Sequence, residues 1–160
     1  MNAQPFLPLL TRHPFSRNFE PQQIERLATL ARAVRFTTDQ VIFQSGDDCA
    51  DFFLILSGRV ALEMPVDQQH VLRIQTLADG DEFGFSVLIK GRGMTFQARA
   101  LQPVEALAID GGRLIEACDQ DPRLGYALMR TLLLIVSERL DATRLQLMDT
   151  YSPVARRAGN

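Results

Sequence analysis

The stretch GDEFGFSVLIKGRGMTFQARA, from Gly80 to Ala100, decides the fold. Gly80 and Gly84 open it, an apolar run too brief for a full helix follows, Gly91 and Gly93 turn the chain again, and a strand begins near Phe96. Glycine accepts positive φ and lets another group approach the main chain. The first N–H groups of a short helix lack acceptors within it and suit an anion. A small-molecule ligand is therefore expected at this Gly-rich cassette.

Outward from the cassette the chain reads as short strands. Val34 and Phe36, then Val41 and Phe43, flank a Thr-Thr-Asp-Gln turn, and Gln44 to Asp48 form another. Phe52 to Leu56 is almost continuously apolar, as expected of a strand buried on both faces. Ser57-Gly58 permits a hairpin into Arg59–Met64, where Val60, Leu62 and Met64 alternate with Arg59, Ala61 and Glu63 in the manner of a half-solvated strand. Leu72, Ile74 and Thr76 continue the alternation, and Phe96–Leu101 and Val104–Ile109 follow the cassette. Strands this short, with turns at intervals of about eight to twelve residues, favour a sandwich, a barrel or a jelly roll over an open α/β sheet.

Helices flank this β region. Ile24, Leu27, Ala28 and Ala31 recur at helical spacing from Pro21 to Arg32, with Pro21 in the first turn. His13-Pro14-Phe15 reads as a turn that leaves His13 as a loop residue and makes anchors of Phe15 and Phe19. Asp110 caps a short helix containing Leu114, Ile115 and Ala117, and Asp121-Pro122 starts the last one. That final helix is expected over residues 122–149. Its positions Met129, Leu133, Val136, Leu140, Thr143 and Leu147 alternate four- and three-residue steps, the spacing of a coiled-coil seam, which predicts a twofold dimer through this helix.

Together with Val41–Glu63, the cassette resembles the cyclic nucleotide-binding domain family, which includes effector domains of catabolite-activator-type bacterial regulators and regulatory domains of cyclic AMP-dependent kinase. The matching features are the strand leading into Gly46-Asp47, the aromatic strand ending at Gly58, and the cassette opening at Gly84. The resemblance covers roughly residues 13–150. It implies a mainly β fold with flanking helices: a double-stranded β-helix, or jelly-roll-like β-roll, with an N-terminal helix and a long C-terminal dimerisation helix. The implied organisation is an N-terminal segment 1–20, the domain itself over 21–150, and a disordered tail over 151–160 that includes Arg156 and Arg157.

In the family, a Glu after the glycine that opens the short helix bonds the ribose hydroxyl, and an Arg before a small hydroxyl residue pairs with the cyclic phosphate. Here those positions hold Phe85 and Met94, while Thr95 keeps the hydroxyl. Each departure removes a charge-assisted bond of about 1.5–3 kcal/mol. Together they cost on the order of a thousandfold in affinity. Arg92 reaches the phosphate position only if the loop register shifts. The cavity is thus expected to lack both the cation and the carboxylate of a cyclic nucleotide site. Its expected contacts are Phe83, Gly84, Phe85, Ser86, Arg92, Met94, Thr95 and Phe96 from the cassette. Leu133, Val136, Arg139, Leu140, Thr143 and Leu147 of the final helix would meet the ligand or the partner subunit.

Composition agrees with a single sensing domain. The chain has 160 residues, 46% hydrophobic and 22% charged, with a net charge of −2, so it shows no basic surplus for nucleic acid. The proline-interrupted N-terminus is neither a signal peptide nor a membrane span. Cys49 and Cys118 are expected as free thiols of a cytoplasmic protein. Two distant histidines argue against a metal centre, and Ser86 and Cys118 have no visible general base. The expected function is therefore non-catalytic sensing of an effector, a cyclic nucleotide or another small molecule, without a resident cofactor, metal or helix-turn-helix. Output would pass to a separate protein, with no direct contact to DNA or membrane. The alternatives are a dimeric interaction module whose pocket is filled by its own side chains, and a true cyclic nucleotide binder using Arg92.

Overall fold

The structure is a computed structural model that describes residues 5–89 and 96–158, with side chains as far as residue 150. Among the described residues eight strands form two four-stranded sheets. The first has the order β1 (Ala31–Phe36), β8 (Val104–Asp110), β3 (Asp51–Ser57), β6 (Glu82–Phe83). The second has the order β2 (Val41–Phe43), β7 (Gln97–Ala100), β4 (Val60–Pro65), β5 (Val71–Leu77). All the strand pairings are antiparallel. Helices α1 (Leu7–Arg12), α2 (Pro21–Leu30), α3 (Gly111–Gln120) and α4 (Pro122–Ala158) flank the strands. Among the described residues no helix is long and apolar enough to cross a membrane.

The first sheet is buried on both faces because β3 and β8 are apolar at successive positions. Phe52, Leu54, Leu107 and Ile109 point toward the helices, where they meet Leu10, Phe15, Leu27, Leu114, Leu124 and Leu128. Phe53, Ile55, Ala106 and Ala108 point inward between the sheets. There Phe53 stacks on Phe83 with centroids 4.8 Å apart, and Phe43 lies 6.0 Å from Phe83. Ala98, Ala100, Ala106 and Ala108 make room for these rings in the same core.

Four expectations are corrected. β3 and β4 do not form a hairpin. They belong to different sheets, and Gly58, at φ +104°, swings the chain from one to the other. A Cβ at Gly58 would lie 2.4 Å from the Pro103 carbonyl oxygen. The helix over Pro21–Arg32 stops at Leu30, because Ala31 pairs with Ile109 as β1 begins. Glu63 is only 3% exposed rather than solvated. It accepts from Gln97 Nε2 at 3.1 Å and Arg99 Nε at 3.0 Å, so the outer face of the second sheet carries a satisfied polar network. Finally, α4 continues through the residues read as a tail, to Ala158. The alanines and arginines beyond Pro153 are strong helix formers, with no glycine before Gly159.

His13 is likewise more than a loop residue. It is 5% exposed, donates from Nε2 to the Ile55 carbonyl at 3.0 Å, and accepts from the Phe15 N–H on Nδ1 at 3.2 Å. Both ring nitrogens are used only if the imidazole is neutral. Burial holds its pKa below the ordinary range, against the Ile55 bond and the pull of Asp81. Through this contact the N-terminal helices are fastened to the sheet beside the cassette. Phe15 and Phe19 serve as the anchors expected of them.

Candidate ligand-binding site

Gly84 adopts φ 85°, in the left-handed region that favours glycine, and turns β6 into a 3₁₀ turn at Phe85–Leu88. The N–H groups of Phe85 and Ser86 stand at the start of that turn, where it offers them no acceptor. The turn is braced from behind by α3. A Cβ on Gly111 would sit 2.7 Å from Val87 Cγ2, so only glycine lets the start of α3 approach this closely.

Over the turn lies a cavity of about 440 Å³, in the range of small-molecule sites. The second sheet supplies Phe43, Leu62, Ile74 and Gln75 to its wall, the cassette supplies Gly84, Phe85, Ser86, Ile89 and Phe96, and α4 supplies Val136, Arg139, Leu140 and Thr143. The aromatic side chains line this space without filling it.

The structure sorts the residues expected here. Gly84, Phe85, Ser86, Phe96, Val136, Arg139, Leu140 and Thr143 come together at the cavity. Phe83 does not: it is fully buried in the core between the sheets, stacked on Phe53. Adjacent residues of a strand face opposite ways, so Phe83 turns inward while Glu82 turns toward α4. Leu133 and Leu147 lie off the cavity, 66% and 54% exposed. Arg92, Met94 and Thr95 fall outside the described residues. Phe43, Leu62, Ile74, Gln75 and Ile89 were not anticipated, since an apolar strand residue beside a cavity has the same sequence pattern as one in a core.

The expectation that the cavity lacks a cation is overturned, while no carboxylate stands among its described lining residues. Arg139 of α4 reaches the cassette and donates through Nη2 to the Glu82 carboxylate at 3.0 Å and to the Glu82 carbonyl oxygen. Its guanidinium lies 5.0 Å from the centroid of the Phe85 ring, within cation–π range. Both partners are well buried, the side chains 16% and 11% exposed. Burial pushes the Glu82 carboxyl above its ordinary pKa, despite the pull of Arg139, with Asp81 and Glu138 adding to the rise. Burial likewise lowers the Arg139 guanidinium, against Glu82 and Asp81. Desolvation thus opposes the charged form of both partners, so the pair is weak evidence of stability. Thr143 turns its hydroxyl back to the Arg139 carbonyl at 2.9 Å, so its proton is already committed.

Among the described residues no cluster of histidine, cysteine, aspartate or glutamate could hold a metal ion. Cys49 and Cys118 are free thiols whose pKa values burial pushes up, away from reactivity. Asp47 accepts from the Gln44 N–H at 2.8 Å, which is turn chemistry.

This fold and cassette have a family. The model of the cyclic nucleotide-binding domain matches residues 33–121, more than half of the chain. The chain belongs to the cyclic nucleotide-binding domain family. A putative cyclic nucleotide-binding protein of Geobacter metallireducens superposes with a TM-score of 0.72 at 27% identity, covering 88% of this chain and 98% of that one. The regulatory subunit of a cAMP-independent protein kinase A from Trypanosoma brucei superposes with a TM-score of 0.72 at 18% identity, over 90% of this chain and 48% of that one. Uncharacterized NTE family proteins of Mycobacterium tuberculosis and Mycobacterium bovis are 25% identical over 119 residues, 74% of this chain. The chain spans about a fifth of the length of these curated relatives, 20% of each.

Proposed function

We propose that this domain is a non-catalytic sensor, in which a small effector enters the cavity above the cassette and alters the set of α4. The observation that carries the reading is the composition of the cavity wall: the cassette forms one side and α4 the other, so any occupant touches both. An occupant that favours one placement of α4 by a few kcal/mol shifts the population between placements by a corresponding factor.

Cyclic nucleotides are weak occupants on this reading. Phe85 puts an aromatic ring where the family carries the ribose-binding carboxylate, and Arg139 is already engaged by Glu82. A neighbour described as a cAMP-independent kinase regulatory subunit is in keeping with a sensor of this fold that answers to something else. Calorimetric titration with cyclic AMP and cyclic GMP is expected to give dissociation constants weaker than about 10 μM. A neutral apolar fluorophore such as Nile red is expected to bind in the cavity and to be displaced by Leu140→Trp, which fills it. Tight cyclic nucleotide binding, or Nile red binding indifferent to Leu140→Trp, counts against the reading.

Output is proposed to pass through α4 to a second copy of the chain and on to a separate protein. Met129, Leu133, Val136, Leu140 and Leu147 are each more than 40% exposed, at 52%, 66%, 42%, 47% and 54%. An apolar stripe of this length on one helix is the mark of an interaction face. Sedimentation at micromolar concentration is expected to show a dimer, and a monomer there removes this part.

A further inference from the structure

Every hydrogen bond that the Arg139 side chain makes to the described residues runs through a single nitrogen, Nη2. A guanidinium carries five N–H donors on three nitrogens. The Nη1 and Nε side of this one meets no acceptor among the described residues, although the residue itself lines the cavity. The rest of the wall is mostly apolar: Phe43, Leu62, Ile74, Phe85, Ile89 and Phe96 surround it. A wholly apolar occupant would dry those donors without pairing them. A polyhydroxylated or multiply charged one would bring more polar groups than Gln75, Ser86, Thr143 and the Phe85 and Ser86 N–H groups can answer.

We propose that Arg139 is the recognition residue of this cavity, and that its occupant is an apolar molecule bearing one carboxylate, which takes the guanidinium from Glu82 and unfastens α4. The inference rests on the reading of the cavity as a ligand site and names the chemistry of that ligand. A free carboxylate can engage guanidinium nitrogens as a two-pronged pair, a stronger arrangement than the single-nitrogen contact that Glu82 makes. Glu82 is then left buried beside Asp81 and Glu138, and it takes up a proton from solvent. Burial and these two neighbours already raise its pKa against the pull of Arg139, so losing that cation eases proton uptake, and the exchange trades one buried ion pair for another.

The test is calorimetric titration of the full chain with decanoate, decanol and cyclic AMP, repeated in two buffers of different ionisation heat. Decanoate is expected to bind at least about tenfold tighter than decanol, since a charge-assisted bond outweighs a neutral one by roughly that factor. Its binding is expected to be accompanied by proton uptake. Arg139→Gln is expected to abolish the preference, so that decanoate and decanol bind equally when both are measured on that variant. Glu82→Gln removes the competing charge and tightens decanoate. If Arg139→Gln alone fails to fold, the Arg139→Gln, Glu82→Gln double variant leaves no unpaired charge and carries the same expectation for decanoate. Saturating decanoate is expected to speed amide hydrogen exchange over residues 136–143, and slower exchange there overturns the release of α4. Equal affinity for decanoate and decanol, or decanoate binding unaffected by Arg139→Gln, overturns the proposal but leaves the cavity as a ligand site. Failure of decanol and decanoate alike removes both. Cyclic AMP binding tighter than decanoate overturns the assignment of ligand class.

Discussion

Replacing Arg139 by leucine isolates the contact that joins α4 to the cassette. The change leaves Glu82, 11% exposed at its side chain, without the only cation that pairs with it among the described residues. Breaking a buried pair by removing one partner costs about 3–5 kcal/mol, while removing both is close to neutral. Arg139→Leu is therefore expected to lower the urea midpoint at about pH 7.5 by roughly 1.5–2.5 M, at a slope of about 2 kcal/mol per molar. The Arg139→Leu, Glu82→Leu double variant recovers most of that loss. The pH dependence has a definite sign. Glu82 has a folded pKa above its unfolded one even with Arg139 present, and removing the cation raises it further. A raised folded pKa means that the folded state binds the proton more tightly. The deficit of Arg139→Leu is then full above that folded pKa, shrinks as pH falls through it, and vanishes below the ordinary glutamate value of about 4.3. Urea titrations followed by circular dichroism at about pH 7.5 and about pH 5.5 measure both effects. Single and double variants with the same midpoint at both pH values would refute the reasoning, because Glu82 would then have lost nothing with Arg139.

Gly58→Ala is expected to destabilise by at least about 2 kcal/mol in thermal or urea melts, since it combines a positive φ with a Cβ 2.4 Å from a carbonyl oxygen. His13 makes stability fall with acid: its folded pKa lies below its unfolded one, so the stability it lends is whole above about pH 6.5 and is lost as pH drops below that value. His13→Phe should flatten this slope in urea midpoints measured across about pH 5–7, at a constant cost from the two lost bonds of about 1–3 kcal/mol. Restoring the family's charges by Phe85→Glu with Met94→Arg is expected to confer calorimetrically detectable cyclic AMP binding; no gain would mean that the loop has a different shape. Leu133→Glu with Leu147→Glu, at exposed positions off the cavity, is expected to abolish dimers in sedimentation while the monomer keeps the far-UV circular dichroism spectrum of the folded domain.

The fold was legible because its signals are local. The two-faced apolar run of β3, the glycines at 58 and 84, and the caps at Asp110 and Asp121 each encode one feature of backbone or burial, and each is where the pattern put it. The Ser57-Gly58 misreading shows the limit. A turn glycine announces a change of direction but not whether the next strand pairs with the last or crosses to another sheet. The site was legible only in part. Gly84, Phe85, Ser86 and Phe96 follow from the cassette, and Arg139 and Thr143 were implied by the resemblance to the family. The pairing of Arg139 with Glu82 spans 57 positions of sequence and leaves no local trace. The absence of a cation was inferred from the cassette alone, whereas the cation at the cavity arrives from α4.

The arrangement of α4 explains why such a contact belongs at Arg139. Leu124, Ala127 and Leu128 are nearly or fully buried in the core under the first sheet, and Leu132 and Ile135 still pack against it. Beyond Ile135 the helix loses that support: Val136 and Leu140 are 42% and 47% exposed, and the next described anchor is Arg139 itself. A segment with few buried apolar contacts opens at low cost, whereas the first turns can move only by disrupting the core. An occupant that disturbs Arg139 therefore acts on the distal half of α4 and leaves the proximal half in place. Because the exposed apolar stripe runs through that distal half, the same displacement alters the face offered to a second chain. On the proposed reading, sensing requires no motion of the β-roll, only a change in what holds one arginine.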